Sequence, residues 1–400
     1  MRRLLLLCLA ICLVLPASAA IPGDLDGDQT VRSDELSAAI LTYLDGRYQG
    51  GDAGLTQQEI CDAAYLCEYH DGRAWSVTDT SGRETVLTSP LRRVVVFNGE
   101  TIETLRSIGF DTTRIVGVDK YTSEKTAFFP EFTDTANVGS VWSPDYEAVL
   151  ALRPDAVFLY GTTSKSSCDG IQETLAASNP EIRVFRFDCY IPGTYMQEVR
   201  EIAEITDREE EAEAFIGFYT SVMGEISNKT AGIPESERPD VYFEYWHDYQ
   251  TVSNGSGYDE KITLAGGRNI FHDESGSSPE IDPEAVIISN PDLIIKLAGK
   301  SLEFGGYKGT EISEFKTVYD SLTARAGWDH LSAIKNGRVH LIHSDILGGA
   351  QHFIGTSYLA EWCYPEKFQD LDPHAIHLRY LHEFQHLEGL TPDEAAFTYP

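Results

Sequence analysis

Positive charge is scarce in this chain of 400 residues: 31 lysines and arginines face 63 aspartates and glutamates, for a formal net charge of −32. Such a surface repels phosphate backbones and anionic membrane faces, so nucleic acid is set aside, while cations, basic partners or a salty exterior remain compatible. Long apolar runs are also missing. The longest, Leu4 to Leu15, falls short of the roughly 20 residues needed to cross a bilayer. No two cysteines stand in a C-x-x-C spacing, which removes the basis for a thiolate metal site or a redox motif. Methionine is limited to three residues, none after Met223. That last absence disarms one suggestive segment. His382-Glu-Phe-Gln-His386-Leu-Glu-Gly389 has the spacing of a zinc-protease helix with Glu383 as base, but the next ligand position is Pro392 and no methionine follows to turn beneath a metal. No catalysis is expected; a C-terminal helix packed on its domain is, with His374 and His377 as further candidates for a surface metal site.

The chain opens with Met1-Arg-Arg, the apolar stretch to Leu15, and Pro16-Ala-Ser-Ala-Ala20: a charged segment, a short apolar segment and small residues suited to cleavage. Residues 1–20 are thus expected to be a signal peptide, and the protein to be exported to the extracellular or periplasmic face of the envelope. Its removal leaves five of the seven cysteines, of which Cys168 and Cys189 are candidates for a bridge between neighbouring loops.

Next comes Asp24-Leu-Asp26-Gly-Asp28-Gln-Thr30-Val-Arg-Ser-Asp-Glu35, a twelve-residue loop with carboxylates at positions one, three, five and twelve and the Thr30 carbonyl at seven. Hard oxygen ligands crowded on a short loop suit one Ca²⁺, although Gln29 stands where glycine normally makes the sharp turn. Val31-Arg-Ser-Asp-Glu35-Leu-Ser-Ala-Ala-Ile matches Leu55-Thr-Gln-Gln-Glu59-Ile-Cys-Asp-Ala-Ala at an offset of 24, giving two loop–helix units. The second loop sets Tyr48, Gly50 and Asp52 where the first has aspartates, so a single calcium is expected. Residues 21–75 resemble a dockerin-type module, which implies either a cohesin-like partner or a purely structural calcium clip.

A second repeat is longer-ranged. Glu147-Ala-Val-Leu-Ala-Leu-Arg-Pro-Asp155 returns 137 residues later as Glu284-Ala-Val-Ile-Ile-Ser-Asn-Pro-Asp292. In each copy a helical stretch ends in a Pro-Asp turn and runs into an apolar strand, Ala156-Val-Phe-Leu-Tyr160 or Leu293-Ile-Ile-Lys296. A helix feeding a fully apolar strand is the unit of a parallel sheet covered on both faces, so two α/β lobes and a cleft are expected.

The hairpin Val77-Thr-Asp-x-x-Gly-Arg, the strand Arg93-Val-Val-Val, Gly109-Phe before Ile115-Val-Gly-Val118, and Val138-Gly-Ser-Val-Trp-Ser-Pro144 leading into Glu147 together resemble the periplasmic-binding family for iron-siderophore, haem and cobalamin uptake. The resemblance covers residues 76–400. It implies an α/β fold of two Rossmann-like lobes, 76–206 and 233–400, joined by one long helix at 207–232, with Asp207 and Glu210 expected to cap that helix. It further implies a monomeric substrate-binding subunit of an ABC importer, with Glu147 and Glu284 pairing with arginines of the permease subunits. The ligand, a metal chelate or corrinoid, is expected where strand ends of the two lobes face each other. Candidates there are Asn98, Tyr121, Trp142, Tyr160, Tyr245, Trp246, His247 and Asp345, because aromatic faces pack flat macrocycles and chelates. The alternative is a surface adhesion or sensing protein working through its front module.

Overall fold

The computed structural model describes residues 21–49, 54–299, 304–307 and 309–400. The expected signal segment lies outside them, as do Gly50 and Asp52 of the second loop. Two compact units emerge: Met1–Val77 with Val86–Pro90, and Thr78–Thr85 with Leu91–Pro400. No helix among the described residues is long and apolar enough to cross a membrane.

The smaller unit carries α1 (Ser33–Gln49) and α2 (Gln57–Tyr69). Thr56 starts α2 with a reciprocal cap: its hydroxyl accepts from the Glu59 amide while the Glu59 carboxylate accepts from the Thr56 amide. Ile21, Val31, Ala63 and Leu66 form the core, and His70 stacks on Trp75 at 3.7 Å. The repeat is less symmetrical than expected, since α1 continues through Asp45-Gly-Arg47 and takes in Tyr48. A short hairpin follows, β1 (Trp75–Thr78) and β2 (Glu84–Leu87), whose tip counts with the larger unit.

In the larger unit the first lobe runs β3 (Val94–Val96), α3 (Gly99–Ser107), β4 (Ile115–Val118), α4 (Lys120–Glu124), β5 (Ala136–Asn137), the small pair β6 (Gly139–Ser140) and β7 (Ser143–Pro144), α5 (Tyr146–Ala151), β8 (Ala156–Leu159), α6 (Lys165–Ser178), β9 (Arg183–Arg186) and α7 (Pro192–Thr206). Then α8 (Glu209–Thr230) leads to the second lobe: β10 (Asp240–Glu244), α9 (Gly257–Leu264), β11 (Arg268–Asn269), α10 (Pro283–Ser289), β12 (Leu293–Ala298), α11 (Ser313–Thr323), α12 (Ser332–Lys335), β13 (Val339–His343), α13 (Ser344–Gly348), α14 (His352–Cys363), α15 (Pro373–Arg379) and β14 (Thr398–Tyr399).

The two sheets have the orders β5-β4-β3-β8-β9 and β11-β10-β12-β13-β14, parallel except for the last strand of the second. Within them β4-β3-β8-β9 and β11-β10-β12-β13 follow the same connectivity, first strand flanked by second and third. Every residue of β8 and β12 is buried, as a strand covered by helices on both faces requires.

The repeated segments occupy equivalent joints. Asp145 and Asp282 cap α5 and α10, while Val149 and Val286 are buried on the inner face of each helix. Arg153 and Asn290, at matching positions, both adopt the left-handed conformation that ends the helix, with φ of 48° and 44°. Asp155 then accepts from the Arg92 and Arg93 amides, and Asp292 from the Asp240 amide, tying each turn to the first strand of its own lobe.

α8 has 22 residues, a length of about 33 Å. It packs against α7 of the first lobe and against α9 and α14 of the second. Its start corrects the expected cap: Asp207 is left-handed at φ 52° and closes α7, and Arg208 precedes α8 without a side-chain cap bond. Backbone satisfaction at the tight α7–α8 corner takes that aspartate instead. The proposed Cys168–Cys189 bridge is likewise absent, both thiols being free and buried.

Gly72 is the position where the small unit depends on glycine. Its φ is 74°, the Val31 amide donates to its carbonyl at 2.7 Å, and an added Cβ would lie 2.1 Å from the Val31 carbonyl oxygen. Gly72→Ala is expected to destabilise this unit by at least ~1 kcal/mol through the left-handed backbone alone, measurable as earlier proteolysis between residues 21 and 75 with the larger unit intact.

Candidate functional site

Because both sheets share one connectivity, the carboxyl ends of their strands present loops to a common cleft. Its volume is about 420 Å³, within the range of small-molecule sites, and its lining comes from both lobes. Tyr121, Trp142 and Tyr160 line it from the first lobe, Tyr245, Trp246, His247 and Asp345 from the second.

In the first lobe each wall is fixed by a buried polar group behind it. Asp119, at the end of β4, starts α4 by accepting from the Tyr121 amide at 3.0 Å and the Thr122 amide at 3.1 Å, which orients Tyr121. Tyr121 meets Trp142 edge to face at 6.0 Å, and the indole is 59% exposed. After β8, the loop that presents Tyr160 wraps a carboxylate: the amides of Gly161, Thr162 and Thr163 all donate to Asp188. The fully buried Arg186 holds the same loop through the Tyr160 carbonyl and is itself paired with Asp169 at 2.9 Å. Tyr160 then donates to Glu100 at 3.1 Å.

The second lobe uses a buried ion-pair cluster. Glu244, at the end of β10, lies 2.6 Å from Arg325 and 3.1 Å from Lys296, and accepts from the Tyr242 hydroxyl at 2.9 Å. Lys296 also donates to the Tyr245 carbonyl at 2.7 Å, so the charge cluster anchors the loop that carries Tyr245, Trp246 and His247. Tyr245 packs on Trp246 and Tyr258 with ring centroids 5.1 and 5.2 Å apart. Asp345 stands in the first turn of α13, where its amide donates to His343 Nδ1 at 3.1 Å. Its carboxylate crosses the cleft to Lys125 at 2.9 Å.

Asn98 departs from its expected place. It is buried, caps α3 by accepting from the Thr101 amide at 2.8 Å, and donates to the Phe187 carbonyl, so backbone satisfaction consumes both ends of its amide. Gly99 and Glu100 line the cleft in its stead. The lining residues that sequence reasoning missed are Glu100, Glu103, Asp119, Lys125, Phe129 and Tyr258. Only Asp119 carried a signal, an acidic residue closing a strand just before a helix with Thr122 three residues on.

Glu147 and Glu284 are exposed, each in the first turn of its short helix two residues after the capping aspartate. The loop Asp24, Asp26 and Asp28 brings its carboxylates within 4.8 Å of one another, the one such metal-competent group among the described residues. The Glu35 carboxylate folds back onto the Leu25, Asp26 and Arg32 amides, and Gln29 takes the left-handed conformation at φ 69°.

The sequence model of the periplasmic binding protein family matches residues 94–346, the stretch that holds every parallel strand of the two sheets and most of the cleft lining. The chain belongs to the periplasmic binding protein family. It is 22% identical over 299 residues to the uncharacterized ABC transporter substrate-binding lipoprotein YvrC of Bacillus subtilis (strain 168), covering 74% of this chain and 87% of that protein. It is 25% identical over 225 residues to the high-affinity heme uptake system protein IsdE of Staphylococcus aureus (strain MRSA252), covering 56% and 71%. The TroA-like periplasmic binding protein FepB from Veillonella parvula superposes with a TM-score of 0.69 at 24% identity, over 81% of this chain and 99% of that one, a likeness of fold.

This periplasmic binding protein is a binder and not an enzyme. The His-Glu-x-x-His segment agrees in geometry: the helix ends at Phe384, His386 turns left-handed at φ 54°, and Glu383 pairs with Arg379 at 2.8 Å. Its two histidines therefore do not share a helical face. His377 is no surface ligand either. It is buried beside the Tyr307 hydroxyl at 2.6 Å, and burial pushes its pKa down to about 3.

Burial alone works to raise the pKa of Glu244, but Arg325 and Lys296 outweigh it and hold the carboxyl below its ordinary value. The cluster's stability is thus present above the unfolded glutamate pKa and is lost as pH falls through the lower folded one. Glu244→Ala, which takes the carboxylate from buried Lys296 and leaves Arg325 only Asp248 at 2.7 Å, is expected to cost about 3–5 kcal/mol at neutral pH. Denaturant unfolding should show that deficit shrinking in acid, where the parent protein loses the same interaction.

Proposed function

We propose that this protein is the substrate-binding subunit of an ABC importer, exported to the outer face of the cell envelope, and that its cleft captures a metal chelate such as an iron-siderophore, haem or a corrinoid. The observation that carries this reading is the cleft itself: an aromatic-walled cavity at the carboxyl ends of two sheets of identical connectivity, built from both lobes. Ring faces from Tyr121, Trp142, Tyr245 and Trp246 suit a broad, flat or rounded guest better than a bare ion. The names of the relatives, a transporter lipoprotein and a heme uptake protein, support the same class. Glu147 and Glu284, exposed at equivalent joints of the two lobes, are assigned as the contacts to arginines of the permease, where bidentate pairing orients as well as attracts. Reversing both, Glu147→Arg with Glu284→Arg, is expected to abolish uptake in cells while chelate affinity in solution is unchanged. Loss of affinity in the purified double variant, or uptake at the parent level, would refute the assignment.

For the front unit we propose one Ca²⁺ held by Asp24, Asp26, Asp28, the Thr30 carbonyl and Glu35. The convergence of three carboxylates supports it, and the fit requires Arg32, which pairs with Asp26 and Asp28, to give way to the ion. Calcium at about a hundred times its dissociation constant should stabilise this unit by about 2.7 kcal/mol. Thermal unfolding with and without chelator checks this, and Asp24→Ala should erase the difference.

A further inference from the structure

We propose that the guest of this cleft presents positive charge to Glu100, Glu103 and Asp119, so that the substrate class is a cationic chelate and not an anionic one. The inference rests on the reading of the cleft as a chelate site and narrows it. Four carboxylates line the cavity, from Glu100, Glu103, Asp119 and Asp345, against a single lysine, Lys125. Its ammonium lies 2.9 Å from Asp345 across the cleft and acts on Glu100 and Glu103 only through space, so none of the three first-lobe carboxylates has an ion pair among the described lining residues.

The nearest other cations make no ion pair with these carboxyls and act on them only through space. Arg106, one turn beyond Glu103, stacks over Phe128 and Phe129, donates to the Phe128 carbonyl and lies 3.5 Å from Glu131. Lys261 is buried over the rings of Tyr190 and Tyr258, and burial holds its pKa down to about 7 against the opposing pull of Glu260 and Glu100. A tris-catecholate, a haem carboxylate or an oxyanion would therefore meet carboxyl groups and no free guanidinium, whereas a pendant ammonium or a cationic metal centre would draw out their ionised forms and meet aromatic faces as well.

Burial shifts the titration of these carboxyls upward. Burial, then Glu100, raise Glu103 to about 8 even though Lys125 and Arg106 oppose them; burial, with Glu100 adding to it, raises Asp119 to about 6 despite the hydrogen bonds from Thr122 and Tyr121; and burial raises Glu100 despite Lys125 and the Tyr160 hydroxyl. Tyr380 donates to Glu103 from the C-terminal segment. A cation entering the cleft favours the ionised forms and displaces these protons, so its affinity rises with pH across that interval and falls as the carboxyls protonate.

The test uses the full chain freed of any co-purified guest and follows the fluorescence of Trp142 and Trp246. The probes are a ferric trihydroxamate bearing a protonated amine, its N-acetylated neutral twin, and a ferric tris-catecholate as the anion. The amine-bearing chelate is expected to bind at least ~10-fold more tightly than its acetylated twin near neutral pH. The preference should shrink in mild acid and in Glu100→Gln. Asp119→Asn, which keeps a helix-capping side chain, should shrink it likewise should Glu100→Gln fail to fold. Equal binding of the twins, or tighter binding of the catecholate, overturns the charge assignment and leaves the chelate reading standing. Binding of none of the three overturns the iron-siderophore reading and the charge assignment with it.

Discussion

Parallel pairing of each lobe's first strand with its third is the constraint on which the rest of the larger unit depends. β3 pairs with β8 and β10 with β12, and each pairing is locked at its start by an aspartate, Asp155 on the Arg92 and Arg93 amides that lead into β3 or Asp292 on the Asp240 amide that opens β10. With the strands parallel, all their carboxyl ends lie at one edge of the sheet, and the loops that leave them are delivered to the same place. The recognition surface is therefore a by-product of topology before it is a matter of side chains. Its side chains are then held by groups that never reach a guest: Asp188 and Arg186 behind Tyr160, Glu244 and Lys296 behind Tyr245.

Much of this frame was readable in the residues. The Glu-Ala-Val repeat identified two equivalent joints because the same three demands, a capped helix, a left-handed exit and a strand buried on both faces, impose the same residues twice. The rings at strand ends stood out for a related reason: an aromatic residue just past an apolar strand has left the core and needs another surface to cover. The acidic residues of α3 gave no such sign. Glu100 and Glu103 sit in a helix that looks amphipathic, and only the fold turns their side of it toward a cavity. Lys125 and Asp345 are 220 residues apart, and nothing local links them. Asn98 and Asp207 were misplaced because a short polar side chain beside a helix serves equally well as a cap, a lining group or a left-handed stop, and backbone hydrogen bonding decides among these.

The distribution of charge shows a division of labour. Where a carboxylate must stay ionised for structure, as Glu244 does, it is surrounded by arginine and lysine. Where carboxylates line the cleft, the available cation is spent across the lobes. In a chain this poor in lysine and arginine, buried Arg186 and Lys296 sit at structural joints, and the cavity keeps the acidic character of the whole sequence.

Helix α8 carries a consequence for motion. Tyr219 on that helix reaches His352 of the second lobe at 2.8 Å, and both rings pack against Tyr195 of the first, so the two lobes share a single buried floor of rings and one neutral imidazole. Parting the lobes would expose that floor to water at a cost no small guest repays. Separation of the lobes at that floor is therefore disfavoured, and passage in and out of the cleft is left to its rim.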